Sequence, residues 1–302
     1  MSTYSASRTA YILTIHKNPV QVNKFVKQVV SEGNADVFIH IDRKNYKELH
    51  SKLIPHANVI ILKESIDVKW GDITLVDATN LLIKEVLKTG RNYNFVCLRS
   101  GQDLLVRSGF KEFLLNNPQK IFMNAYFVDK KDAHAAFANV SWPQSTRRLY
   151  INPFHPNRLF RRAIQSLYGL GINLFPNPHM LPQDFCIYNG SNWFCIPLEV
   201  AKYIIKFIEE NNWYYKSFEN SLCPDEFFYQ TLIMNSHYKS DVVDNNLMYI
   251  KFGETLKSRN NPITLKMEHI ETIRDSNKFF ARKFDEKEDL KVIEYFEKSV
   301  KM

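Results

Sequence analysis

Residues 10–41 read A-Y-I-L-T-I-H-K-N-P-V-Q-V-N-K-F-V-K-Q-V-V-S-E-G-N-A-D-V-F-I-H-I, and the change of period inside this stretch decides the fold. Ala10–Ile15 is a short continuous apolar run, the pattern of a strand buried on both faces. Asn18-Pro19 then opens a helix, with Val22, Phe25, Val26, Val29 and Val30 at helical spacing on one side. Asp36–Ile41 returns to a strand that ends on Asp42. The alternation continues through a strand at Val59–Leu62, a helix from Ile73 to Lys88 and a strand at Asn94–Leu98 that leads into Ser100-Gly101-Gln102-Asp103. Strands alternating with helices predict parallel βαβ units in a mostly parallel sheet flanked by helices. An open sheet of this kind binds ligands beyond the C-terminal ends of its strands, where Leu13–His16, Asp42 and Asp103 fall. A single domain is expected, with a nucleotide-binding half over residues 8–120 and a second half over 121–302.

The chain has 302 residues and a net charge of +8, so an anionic partner is expected: nucleic acid, an anionic membrane or a nucleotide phosphate. No G-x-G-x-x-G follows the first strand and no P-loop motif occurs, which argues against dinucleotide oxidoreductases and P-loop enzymes. Cys97, Cys186, Cys195 and Cys223 form no C-x-x-C pair and have no zinc-spaced histidines near them. They read as reduced core thiols. No Asp-x-Asp is present to hold a metal against a diphosphate. His40 and Asp42 share a strand face without a further ligand, so no metal site is expected. No run reaches the roughly 18 apolar residues of a membrane span. Nucleic-acid binding would require basic residues clustered with exposed aromatics or a known module, and neither is found.

Ser221–Tyr229, S-L-C-P-D-E-F-F-Y, reads as a sharp helix start, with Pro224 suited to the first helical position and two acids in the first turn. A capping box would account for Glu226, although Cys223 stands where such a box wants Ser or Thr. A helix N-terminus stabilises a carboxylate, so Glu226 is expected to stay ionised near neutral pH with a lowered pKa.

This stretch resembles the S-P-D-E segment of the core-2/I-branching glycosyltransferases, glycosyltransferase family 14, which includes the protein xylosyltransferases. A-Y-I-L-T-I-H-K-N-P is similar to the opening strand of that family, and V-F-I-H-I-D-R-K to its second strand. V-K-W-G-D-I-T-L-V matches a W-G-x-x-S-L-V-like segment, with Thr74 in place of Ser. F-V-C-L-R-S-G-Q-D-L-L-V resembles L-L-S-G-Q-D-x-P-[IL], with Leu105 in place of Pro. N-G-S-N-W-F is similar to a G-S-x-W/Y-F segment, Y-I-K-F to [YF]-[VI]-x-W with Phe252 replacing Trp, and F-F-A-R-K-F-D to L-F-A-R-K-F-D. The resemblance covers nearly the whole chain except roughly 125–180.

The resemblance implies a GT-A-like fold and an inverting, metal-independent transfer of N-acetylglucosamine or xylose from a UDP-sugar to a glycan or lipid-linked oligosaccharide. It makes Glu226 the catalytic base. Asp42, with the strand end around Leu13, would hold the uracil, and Asp103 would support the donor site. Lys283 and Arg259 (with Lys257 close by) would contact the diphosphate, since two fixed cations can replace a divalent ion. Arg148, Trp193, Asp225 and Phe252 are placed with the acceptor. Animal members carry an N-terminal membrane anchor. This sequence opens at the catalytic region, so a bacterial, cytoplasmic protein is expected, peripheral at the inner face of the cytoplasmic membrane. Asn157–Leu170 is a basic amphipathic helix that reads as an ordinary surface helix or as a contact with an anionic membrane. An idle carbohydrate- or nucleotide-binding homologue is the alternative function.

Overall fold

A computed structural model of the chain describes residues 8–31, 34–255 and 261–300. Its centre is a seven-stranded sheet. The first four of these strands are β1 (Thr9–Ile15), β2 (Ala35–Ile41), β3 (Val59–Ile61) and β4 (Phe95–Ser100). They pair in parallel in the spatial order β4-β1-β2-β3, with Leu13 opposite Ile39 on one side and Arg99 on the other. The alternation of β1 sends Tyr11 and Leu13 into the core on one face and Ala10 and Ile12 into the core on the other. Helices cover both faces, which is why β1 and β2 are apolar throughout.

The helix Pro19–Val30 lies on the first face. It packs Val22, Phe25 and Val29 against Tyr11 and Phe280. Thr74–Lys88 lies on the second face, with Val76, Leu82 and Val86 buried, and the helix Leu198–Glu210 joins it there. Each expected βαβ unit therefore forms, within a residue or two of its predicted ends.

The remaining strands of the large sheet come from later in the chain. After β5 (Asp103–Leu105), β6 (Ile121–Met123), β7 (Tyr126–Val128) and β8 (Ile187–Asn189) comes β9 (Phe194–Pro197), which inserts antiparallel between β4 and β6. β10 (Val242–Asp244) then pairs in parallel with β6 at the edge. The stretch 184–197 reads from sequence as two strands around a Gly190 turn. Both strands form on either side of Gly190, and they join different sheets, since β8 pairs with β7.

A small second sheet joins β11 (Met248–Ile250) and β12 (Phe280–Arg282) in parallel, with β12 antiparallel to β5. It carries the F-A-R-K-F-D motif back against the strand ends of the large sheet. The charged C-terminal stretch forms the helix Leu290–Ser299, capped by the Asp289 carboxylate on the Lys291 and Val292 amides. All four cysteines are free, and Cys97 and Cys195 face each other across the β4–β9 pair. Among the described residues, no helix is long and apolar enough to cross a membrane.

Candidate active site

The acidic segment departs from its expected form. Pro224–Glu226 is a single 3-10 turn, and the α-helix starts only at Phe228. Cys223, in the cap position, adopts a left-handed backbone (φ 51°) and makes no side-chain cap bond. Its amide instead donates to the Gly71 carbonyl at 3.1 Å, and Gly71 reaches this position at φ 73°, a conformation side chains disfavour. The W-G-D segment thus fixes the entry to the acidic turn. From the other side, the amide of Gly190 donates to the Glu226 carbonyl at 2.9 Å and Asn189 Nδ2 does so at 3.2 Å. A Cβ on Gly190 would lie 1.9 Å from the Asn124 carbonyl oxygen, so only glycine fits this approach.

Held in this way, Glu226 turns its side chain toward solvent, with Asp225 half-buried beside it. Both carboxyls lie above the ordinary carboxylate range. Desolvation by the surrounding protein is the main cause for each, and repulsion from Asp225 adds to the rise at Glu226. This corrects the expectation of a helix N-terminus that lowers the pKa. One 3-10 turn aligns too few peptide dipoles to offset the lost hydration. The consequence favours chemistry, because a base with a pKa near the working pH accepts a proton more readily than an ordinary carboxylate.

The segment Gly190-Ser191-Asn192-Trp193 links this turn to a second group of residues. Ser191 is held through its carbonyl by Gln230 Nε2 at 2.8 Å and through its hydroxyl by Asn246 Nδ2 at 2.7 Å. Two residues on, Trp193 Nε1 donates to Asp103 Oδ2 at 3.1 Å. Asp103 is fully buried and also accepts from the Ser100 amide and hydroxyl at 2.7 and 2.8 Å. Its other neighbour is Arg282, whose guanidinium lies 3.8 Å from Oδ1 and 4.0 Å above the Trp193 ring. Asp103 is therefore a buried anchor that positions Trp193 and Arg282.

Lys283 follows Arg282 directly. Burial, then repulsion from Lys17 and Arg282, holds its ammonium below the usual lysine range. Lys17, at the end of β1, pairs with Asp285 at 2.6 Å and closes the motif onto the strand ends. Asp42 caps the turn after β2 by accepting from the Lys44 amide at 3.1 Å. His16 lies in the same field: burial lowers its pKa first, with Lys17 next, against the pull of Asp42. A crowded set of cations beyond the C-terminal ends of β1 and β2 suits a polyanion.

Other expected residues stand elsewhere. Leu13 is fully buried in the core, so its side chain cannot reach a ligand. Phe252 is exposed and bridges Pro262 beyond β11. Arg148 lines a cleft of about 380 Å³ with Lys44, Trp70 and Arg147, adjoining Asp42 through Lys44 and the acidic turn through the Trp70–Asp72 segment. Arg259 and Lys257 lie outside the described residues. His40 is buried with Nε2 accepting from the Ile66 amide, and burial pushes it down to about 4, so it stays neutral. Among the described residues, no group of three or more His, Cys, Asp or Glu has an arrangement that could hold a metal ion.

Lys17 and Arg282 were not singled out from the sequence. Arg282 was findable, because it lies inside the motif that supplied Lys283. Lys17 carried only the weaker signal of a charge just past a strand.

Residues 9–278 match the model of the family described as Core-2/I-Branching enzyme. The chain belongs to that family. This Core-2/I-Branching chain is 20% identical to a xylosyltransferase of Ciona intestinalis, with 96% of the chain and 34% of that protein covered. It is 22% identical to xylosyltransferase 2 of Rattus norvegicus (95% and 33% covered) and 25% identical to xylosyltransferase sqv-6 of Caenorhabditis elegans (92% and 34% covered). The chain spans about a third of the length of these curated relatives. Among solved structures it is similar to the apo form of mouse xyloside xylosyltransferase 1, at 12% identity and a TM-score of 0.34 over 78% of this chain and 84% of that one.

Proposed function

We propose that this chain is an inverting, metal-independent glycosyltransferase that moves xylose or N-acetylglucosamine from a UDP-sugar to a glycan hydroxyl. Family membership and the relatives named xylosyltransferases support the reaction class. The observation that carries the mechanism is Glu226: an exposed carboxyl held through its backbone on both sides, with Asp225 beside it and a pKa above the ordinary carboxylate range.

In the proposed step, the acceptor hydroxyl gives its proton to Glu226 while its oxygen forms a bond to the anomeric carbon. The bond from that carbon to the diphosphate oxygen breaks on the opposite face, and the electron pair leaves with UDP. Lys283, with Arg259, balances the charge that develops on the diphosphate. Asp42 would hold the uracil, Asp103 steadies Trp193 and Arg282, and Trp193 and Asp225 would orient the acceptor.

Replacing Glu226 by Gln removes the base and keeps the shape. We expect UDP release in the presence of acceptor to fall by about 10²–10⁴-fold with the melting temperature unchanged. Ordinary turnover in Glu226→Gln would sink the mechanism. Loss of activity on EDTA, with recovery on Mn²⁺, would overturn the metal-free part. No UDP binding by the intact protein would leave an idle binding homologue.

A further inference from the structure

The helix Pro156–Gly169 is amphipathic in sequence, yet of its residues only Ile164 is buried. Leu159 and Phe160 face solvent, and so do the apolar residues of the flanking loops: Ile151 is 69% exposed, Phe154 76% and Leu170 77%. A concentration of exposed large apolar side chains on one helix and its two flanking loops marks an interaction site. It is also well ordered by its contacts. Arg158 donates to the carbonyls of Tyr150 and Ile151 at 3.2 and 3.0 Å, Tyr150 stacks on His155 at 3.9 Å, and Arg161 lies over the rings of Trp70 and Tyr150. The loop that raises Ile151 and Phe154 is thereby tied to the helix.

Charge identifies the occupant. Between Asp132 and Asp184 the sequence has no Asp or Glu, and it carries Arg147, Arg148, Arg158, Arg161 and Arg162. Arg147 pairs with Asp72 at 3.2 Å and Arg158 and Arg161 are half-buried, while Arg148 and Arg162 are exposed, so the surface is apolar at its tips with free cations beside them. A second copy of the chain would bring the same positive charge against it. A nucleic acid would find no use for aliphatic tips such as Ile151 and Leu170. An anionic bilayer satisfies both features, with apolar side chains in the acyl boundary and arginines at the headgroups.

We infer that the helix Pro156–Gly169 and the loops at its two ends dock this protein on an anionic lipid bilayer. Ile164 packs in one apolar cluster with Leu222 and Cys223, the residues that lead directly into the Pro224–Glu226 turn. Docking therefore brings the acidic turn close to the membrane. Resting on the sugar-transfer reading, this makes the acceptor a glycan carried on a lipid.

The test is co-sedimentation of the full chain with vesicles of phosphatidylcholine alone or mixed with phosphatidylglycerol. The intact protein pellets with the anionic vesicles and is released by salt. The triple variant Ile151→Ser/Phe154→Ser/Leu170→Ser, which alters only exposed side chains, binds at least about tenfold more weakly with an unchanged circular dichroism spectrum. Arg162→Glu weakens binding by about fivefold or more. Equal pelleting of wild type and the triple variant overturns the inference, as does no preference for anionic vesicles. So does a wild-type dimer that the triple variant makes monomeric, which would assign the surface to a second copy. UDP release with a soluble glycan is measured in parallel. UDP binding by calorimetry is the further control: it is expected to be unaffected in the triple variant, and its absence in the wild type would count against the sugar-transfer reading and not against docking.

Discussion

The indole of Trp193 binds Asp103 through its N–H and Arg282 through its face, so one side chain at the start of β9 in the large sheet holds an acid and a cation that face each other in the small one. Asp103 sits at the turn where β4 gives way to β5, and Arg282 ends β12. The three residues therefore fix the angle between the sheets at the point where Lys283 leaves β12.

Trp193→Phe keeps the ring under Arg282 and removes the N–H. Asp103 retains its two bonds from Ser100, so the expected cost is about 1 kcal/mol, read from urea unfolding. UDP affinity is expected to fall with it, because Arg282 and Lys283 lose their reference point. A variant with full stability and weakened UDP binding would place Trp193 on the ligand itself.

Asp225→Asn removes the like charge beside Glu226. Glu226 is raised by burial and by Asp225, so taking away the second cause lowers its pKa. A base loses activity as pH falls through its pKa. The acid limb of kcat/KM in the wild type is expected above the ordinary carboxylate range, and in Asp225→Asn it moves to lower pH. An unmoved limb would show that another group controls it.

Lys283→Met keeps the length of the side chain and removes the charge facing the proposed diphosphate. A charge-assisted hydrogen bond is worth about 1.5–3 kcal/mol, so UDP binds roughly 10–100-fold more weakly by calorimetry. Uridine, which lacks phosphate, is expected to bind wild type and variant alike. Equal loss for both would point to a collapsed site.

Asp36 tests the scaffold. Its carboxylate is buried and accepts from Arg8, from Arg91 at 2.7 Å and from Tyr93 at 2.6 Å. Against the cost of burial, the bonds from Arg8, Tyr93 and Arg91 pull its pKa down to about 2. A depressed carboxylate stabilises the fold above its unfolded pKa and ceases to do so as pH falls through the folded one. Asp36→Asn is thus expected to cost about 2 kcal/mol at neutral pH and progressively less between about pH 4 and pH 2.

What could be read in the sequence followed from periodicity. β1, β2 and β4 are continuous apolar runs, and the helices between them carry clean apolar faces, so the parallel half of the sheet needed no tertiary information. β5, β11 and β12 are three residues each, too short to show a period, and the small sheet was invisible for that reason. In the region 130–177 only the helix Pro156–Gly169 was legible from its period, since the rest is short turns and a bridge between Val140 and Pro176. At the site, Glu226, Trp193 and Lys283 were named because they lie in motifs. The state of Glu226 was misjudged because a helix dipole can be read from local sequence, whereas burial depends on what the rest of the chain places around it.

The insertion of β9 between β4 and β6 limits how this protein can be made and divided. β4 belongs to the first hundred residues, and its antiparallel neighbour is synthesised nearly a hundred residues later, with Cys195 opposite Cys97. Until then the growing chain exposes β4 as an open edge, a template for pairing with other chains. A fragment ending near residue 120 would keep every nucleotide-side strand and still lack the strand that closes the edge.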